Sequence, residues 1–232
     1  IMASEEFMGQ APFKDIVITG LVRDKQGRKM SKSLGNGIDP LEVIDLYGAD
    51  AMKFTLCYLA AQGQDVQVDM DSFKMGSRFA NKIWNATRFL LMNLEDRNLV
   101  EITPDKLNTM DKWIYHQLNS AINTINKAMT SYRFNEAAQA VYSFFWNDYC
   151  DWYIEASKMR LLQGSDEEKD LAISILMDVL EKSMRLMHPY LSFVTEEIYQ
   201  KLPNNKGMLI NQDYPKFDEA FDFAEDSKVV SE

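Results

Sequence analysis

Histidine and cysteine, the side chains that most often hold metals or act as nucleophiles, are nearly missing: the 232 residues contain two of each. Cys57 and Cys150 lie far apart and in no Cys-x-x-Cys pattern. That argues against a zinc site or a disulfide framework, and for buried free thiols of a cytosolic (cytoplasmic) protein. No apolar run is long enough to span a membrane, and there is neither an internal repeat nor a low-complexity tract. No secretory leader is expected in these residues either. Ile1-Met2-Ala3-Ser4-Glu5-Glu6 has no basic region followed by an apolar one, and Ile1 is not an initiator methionine, so the chain is expected to be a piece of something longer. Positive charge is also scarce. The formal net charge is −10, which excludes a general polyanion binder and requires that any nucleic-acid partner be held by a local basic stripe. Part of the deficit lies in residues 218–226, expected as solvated surface or linker.

Against those absences stands one stretch, Lys29-Met30-Ser31-Lys32-Ser33, flanked by Gly27, Gly35 and Gly37. Two lysines three apart bring mobile positive charge, while the serines and bare backbone N–H groups are donors that oxyanions accept. Glycines let a backbone approach a ligand or swing as a hinge. The composition suits either a solvated turn or a loop that closes over phosphates as charge develops on them. It is not a Walker P-loop, because Gly-x-x-x-x-Gly-Lys-Ser/Thr does not occur.

Around this loop the β-rich residues Ile16, Val17 and Ile18, bounded by Pro12 and Gly20, predict a short buried strand, with Leu21-Val22 opening a second. Asp39, Pro40 and Glu42 carry the signals of a helix start with a capping box, Leu41, Val43, Ile44 and Leu46 its inward face, and Gly48 its end. A second helix is expected over 49–61. From residue 71 onward the chain reads helix after helix. The expected spans are 72–94, with Phe79, Ile83, Ala86, Leu90 and Leu94 on one face, then 110–131, and then a long aromatic helix containing Tyr142, Phe145, Trp146, Tyr149, Trp152 and Tyr153 as bundle core. A capping box at Ser165/Glu168 opens a helix running to His188-Pro189, and a shorter helix over 191–202 precedes a break at 203–207 and an edge strand at 208–211. The expected fold class is therefore mainly α: a helical bundle over 66–215 behind a small α/β remnant over 1–65, with 216–232 an acidic linker or the start of a further region.

Spacing singles out a second candidate site. Arg78, Lys82, Asn85 and Phe89 recur at i, i+4, i+7 and i+11 and share one narrow stripe beside the apolar face. An aromatic among cations and an amide suits unpaired RNA bases: a ring to stack on, an amide to read an edge, cations for phosphates. The plain alternative is that Phe89 packs beneath a neighbouring helix while Arg78 and Lys82 keep the surface soluble.

The string from Pro12 to Pro40 resembles the signature loop of class I aminoacyl-tRNA synthetases. Two further stretches, Asn81-Lys82-Ile83-Trp84-Asn85-Ala86 and Phe145-Trp146-Asn147-Asp148-Tyr149-Cys150-Asp151-Trp152-Tyr153, are similar to the valyl-tRNA synthetase family rather than to its isoleucyl and leucyl relatives. The resemblance implies an enzyme that joins an amino acid to the α-phosphate of ATP and passes it to a tRNA end. It implies Lys32 as the ATP contact with Lys29 supporting it, Ser31 and Ser33 beside the phosphates, and Mg2+ arriving with ATP rather than on a protein metal site. The partners implied are the anticodon stem-loop of tRNA(Val) and the rest of the synthetase chain. Two positions depart from the family pattern. Gly37 replaces an expected valine and should loosen the loop's exit, and Tyr199 stands where relatives often carry tryptophan. The other class I signature, His-x-Gly-His, is not in this sequence, whose only histidines are His116 and His188. This chain alone is therefore expected to be inactive. Alternatives are the equivalent piece of an isoleucyl or leucyl enzyme, or a stand-alone helical RNA-binding or interaction module that kept the loop as a relic.

Overall fold

The computed structural model describes residues 1–94, 97–203 and 205–231, so position 204 of the expected break at 203–207 and Glu232 at the end of the expected acidic region lie outside the described residues. The protein is mainly α. Helix α1, Met2–Met8, is followed by an extended stretch and by β1, Val22–Arg23, which pairs in parallel with β2, Val66–Gln67. The expected buried strand at 16–18 does not form: Ile16 and Ile18 are 67% and 75% exposed. A β-rich run needs a ladder partner, and among the described residues the only sheet is β1–β2.

Helix α2, Pro40–Tyr47, begins where Asp39 accepts a hydrogen bond from Leu41 N at 2.9 Å. Its inward face is narrower than expected. Val43 is buried, but Leu41 and Leu46 are exposed, since this short helix meets only a small cluster with Val66, Val68 and Phe73. Helix α3, Ala49–Leu59, crosses close to α4, Lys74–Leu94. Gly76 makes that crossing possible: a Cβ there would stand 2.4 Å from Ala51 O. Phe79, Ile83 and Leu90 of α4 are fully buried, as their spacing predicts.

Helix α5, Thr109–Thr130, starts in a capping box between Asn108 and Asp111 and buries Ile114, Leu118 and Ile125. Next comes one continuous rod: α6, Phe134–Ser143, a π-helical segment, Phe144–Ile154, and α7, Glu155–Gln163. The aromatic helix was expected to be regular. Its buried residues fall in pairs at 144/145, 149/150 and 153/154, a repeat of four to five that the i→i+5 turn accommodates and the α turn does not. Trp152, expected in the core, is 64% exposed as a consequence. Inside the bundle, Asp111 is fully buried, accepting two 2.8 Å bonds from Arg160 Nη1 and one of 2.6 Å from Tyr153 Oη.

Helix α8, Asp166–Met187, opens with the predicted Ser165/Glu168 box and runs through the centre of the bundle. Helix α9, Ser192–Tyr199, has no cap of its own. The carboxylate of Asp50 on α3 serves instead, accepting from Phe193 N at 3.2 Å and Val194 N at 2.7 Å, and Lys53 donates to Ser192 Oγ at 2.8 Å. Tyr199 is buried, and its hydroxyl accepts a hydrogen bond from Lys206 N. The expected edge strand at 208–211 is a 3-10 turn that inserts Leu209 and leaves Met208 and Ile210 exposed. The acidic end is surface, with Asp218, Glu219, Asp222 and Glu225 exposed as expected, but a few of its side chains anchor it to α5. Phe221 packs on Tyr115 with ring centroids 4.6 Å apart, His116 Nδ1 lies 3.0 Å from Asp222, and Lys112 pairs with Asp226 at the start of α10, Ala224–Ser231.

Candidate phosphate loop and nucleic-acid interface

The loop after β1 is built on Asp24, a buried carboxylate. Oδ1 of Asp24 accepts from Gln26 N (3.0 Å) and Arg28 N (2.9 Å), and Oδ2 accepts from Arg28 Nε (2.8 Å) and Asn36 Nδ2 (2.9 Å). The Asn36 hydrogen bond first, and then the Arg28 contacts, hold this carboxyl down at about 2, against the opposing effect of burial. Asn36 also ties the far end of the loop to its start. Its Oδ1 accepts from Ser31 N at 2.9 Å, and its Nδ2 reaches Lys29 O at 3.3 Å. Gly27, at φ 75, makes the left-handed turn that brings Arg28 back to Asp24.

On this frame the four expected residues fall into two kinds. Ser31 and Ser33 share a hydrogen bond of 3.2 Å between hydroxyls, and Ser31 Oγ also accepts from Leu34 N. Lys29 and Lys32 are exposed, and among the described residues no carboxylate pairs with either. The loop thus presents two uncommitted cations above a rigid polar floor. Spacing did not single out Asp24 and Asn36. The available signal was the Asp24/Arg28 pair at i, i+4 and an asparagine between two glycines. Among the described residues no three His, Cys, Asp or Glu side chains are placed to hold a metal ion.

The stripe on α4 runs beside a groove of about 250 Å³ between α4 and the π-helical segment with α7. Lys82, Asn85 and Phe89 line it together, facing Cys150, Ile154, Glu155 and Lys158, whereas Arg78 is exposed beyond it. Phe89 is half-buried against the core and lies 5.7 Å from Lys158 Nζ. Lys82 Nζ stands 4.9 Å from the Trp146 ring and 2.5 Å from Asp151 Oδ1. Lys158 Nζ is held by both oxygens of Glu155, at 2.6 and 2.7 Å. The Cys150 thiol is pushed up to about 12 by burial, so it lines the groove as an inert apolar surface. Asp151, Glu155 and Lys158 escaped the sequence reading because they lie on another element, 69 residues away in the case of the Lys82–Asp151 contact.

The groove, with its aromatic ring, amide and paired lysines, and the lysine-serine loop thus sit on one mainly helical chain. The family model described as the anticodon-binding domain of tRNA ligase matches residues 111–232, more than half of the sequence, and the chain belongs to that family. A second model, the class I tRNA synthetases (I, L, M and V), matches residues 1–69. Among individual relatives, the chain is 57% identical to the valine–tRNA ligase of Treponema denticola over 93% of its own length and 25% of that protein. It is also 57% identical to the valine–tRNA ligase of Thermotoga maritima, over 88% of the chain and 23% of the relative. The chain spans about a quarter of the length of the curated relatives it matches. A crystal structure of the Agrobacterium radiobacter LeuRS-tRNA-LeuAMS ternary complex superimposes with a TM-score of 0.68 at 25% identity, covering 88% of this chain and 24% of that one.

Proposed function

We propose that the chain is the phosphate-loop and anticodon-reading part of a valine–tRNA ligase, with ATP and tRNA(Val) as partners in the cytoplasm. The observation that supports this most is the division of labour between its lysines: Lys29 and Lys32 exposed and unpaired on the loop, Lys82 set beside a ring and an amide in the groove.

In that reading Lys32 meets the phosphates of ATP as negative charge develops on them, and Lys29 adds a second cation. Ser31 and Ser33 hold the turn and offer hydroxyls. A cation that meets a developing charge lowers the barrier, and the hydrogen-bonded loop backbone beneath Lys32 leaves only its side chain to settle. Mg2+ would come with the ATP phosphates. In the groove an unpaired base would stack on Phe89 while Asn85 reads its edge and Arg78 meets a neighbouring phosphate.

The chain contains no His-x-Gly-His, so the loop would complete an active site whose other half lies on another part of the ligase. The test is aminoacylation by the full-length ligase with valine, isoleucine and leucine, each with its matching tRNA. Charging of valine alone supports the reading, and charging of isoleucine or leucine in preference overturns it. Valine-dependent pyrophosphate exchange by the 232-residue chain, above a Lys32→Ala control, would also count against it.

A further inference from the structure

The groove's two lysines are both neutralised from within, and that pairing has a cost for an RNA-binding surface. Lys82 is held by Asp151 at 2.5 Å, with the side chains 30% and 47% exposed, and Lys158 by Glu155. Sequence-blind binding to RNA draws its strength from free cations that meet phosphates and release condensed counterions. A lysine already seated on a carboxylate must exchange one anion for another and gains little. Stacking on Phe89 and a hydrogen bond from the Asn85 side-chain amide do not depend on free charge.

We propose that Asp151 is a specificity-determining residue of this groove: by occupying Lys82 it removes a contact that any RNA could use, so that the Asn85 amide, which reads a base edge, decides among the bases that can stack on Phe89. Asp151 acts through Lys82 and is therefore a positioning residue. The inference rests on the reading of the α4 stripe as the RNA-facing surface. It also fits the charge of the whole chain. At −10, the protein repels polyanions in general, and a lysine paired in advance keeps the groove from becoming an exception.

The experiment is a tRNA-binding titration of the chain at several salt concentrations. It uses a transcript of tRNA(Val) and the same transcript with its anticodon loop replaced. Asp151→Asn should tighten binding of the replaced-loop transcript by about 5-fold at low salt and steepen its salt dependence by about one charge equivalent. Binding of tRNA(Val) should change less, so discrimination falls. Asp151→Glu should restore the original selectivity. Lys82→Ala in the Asp151→Asn background should abolish the gain, which a merely structural effect at position 151 would survive.

Two controls separate the possible failures. If Phe89→Ala weakens tRNA(Val) binding while Asp151→Asn leaves the replaced-loop transcript unchanged, the inference falls and the reading of the stripe stands. If Phe89→Ala leaves tRNA binding untouched, the stripe is not the reader and the inference falls with it. Should Asp151→Asn fail to fold, Lys82→Ala alone decides: a loss of a full charge equivalent from the replaced-loop salt slope overturns the proposal, and a much smaller loss supports it.

Discussion

The loop over residues 24–36 and the groove beside α4 both offer lysines, and they hold them in opposite ways. In the loop Asp24 takes Arg28 and Asn36 and Asp69 pairs with Lys25, while Lys29 and Lys32 are left exposed. In the groove each lysine has its own carboxylate, and beside them stand a half-buried ring, with Lys158 over it, and an exposed amide. A site that must answer charge appearing during a reaction gains from uncommitted cations on a firm floor. A site that must tell one base from another gains from having little loose charge. The bundle adds a third arrangement of charge, the Asp111–Arg160 pair inside the helices.

The contrast can be attacked directly. The largest effect is expected from Arg160→Met. Removing one partner of a buried pair strands the other, and about 3–5 kcal/mol of stability should be lost in chemical denaturation. Lys32→Ala in the full-length ligase should slow valine-dependent adenylate formation by roughly 10²-fold, with thermal stability and tRNA affinity nearly unchanged. Unaltered pyrophosphate exchange would reduce the loop to an ordinary surface turn. Phe89→Ala should cost about 1–3 kcal/mol in tRNA binding and spare valine activation. A lower melting temperature with intact tRNA affinity would make Phe89 a core residue and erase the contrast between the two sites.

The smallest effect concerns the loop's frame and its pH dependence. The folded carboxyl of Asp24 lies at about 2, below its ordinary value. Its contribution to order is therefore complete above about pH 4, where the unfolded group is also ionised, and is lost as pH falls through about 2. Asn36→Ala removes the largest cause of that depression and should move the Asp24 titration, followed by carboxyl NMR, upward toward the ordinary range. An unmoved titration would show that Arg28 and the backbone N–H groups of the turn hold the carboxylate without Asn36.

Much of this architecture was legible because helices announce themselves locally. Phe79, Ile83 and Leu90 recur at the helical period and are buried, and Asp39 and Ser165 cap the helices they precede. Strands depend on partners elsewhere, which is why Ile16 and Ile18 misled and why 208–211 turned instead of extending. The π-helical segment was hidden because aromatic spacing was read with the α period. At the sites, residues within one turn or one helix face were visible. Their counter-ions were not, since Asp151 reaches Lys82 only after two distant segments have docked.

The carboxylate of Asp50 bears on the order in which the molecule is made. It caps α9 from 143 and 144 positions upstream, and Lys53 joins it from 139. A ribosome emits Asp50 long before Phe193 and Val194 exist. During synthesis the Asp50 carboxylate therefore stays hydrated until the α9 segment has emerged. Contacts so far apart in the chain form late and slowly. The first turn of α9 thus completes its hydrogen bonds on a group that belongs to the segment carrying the lysine loop.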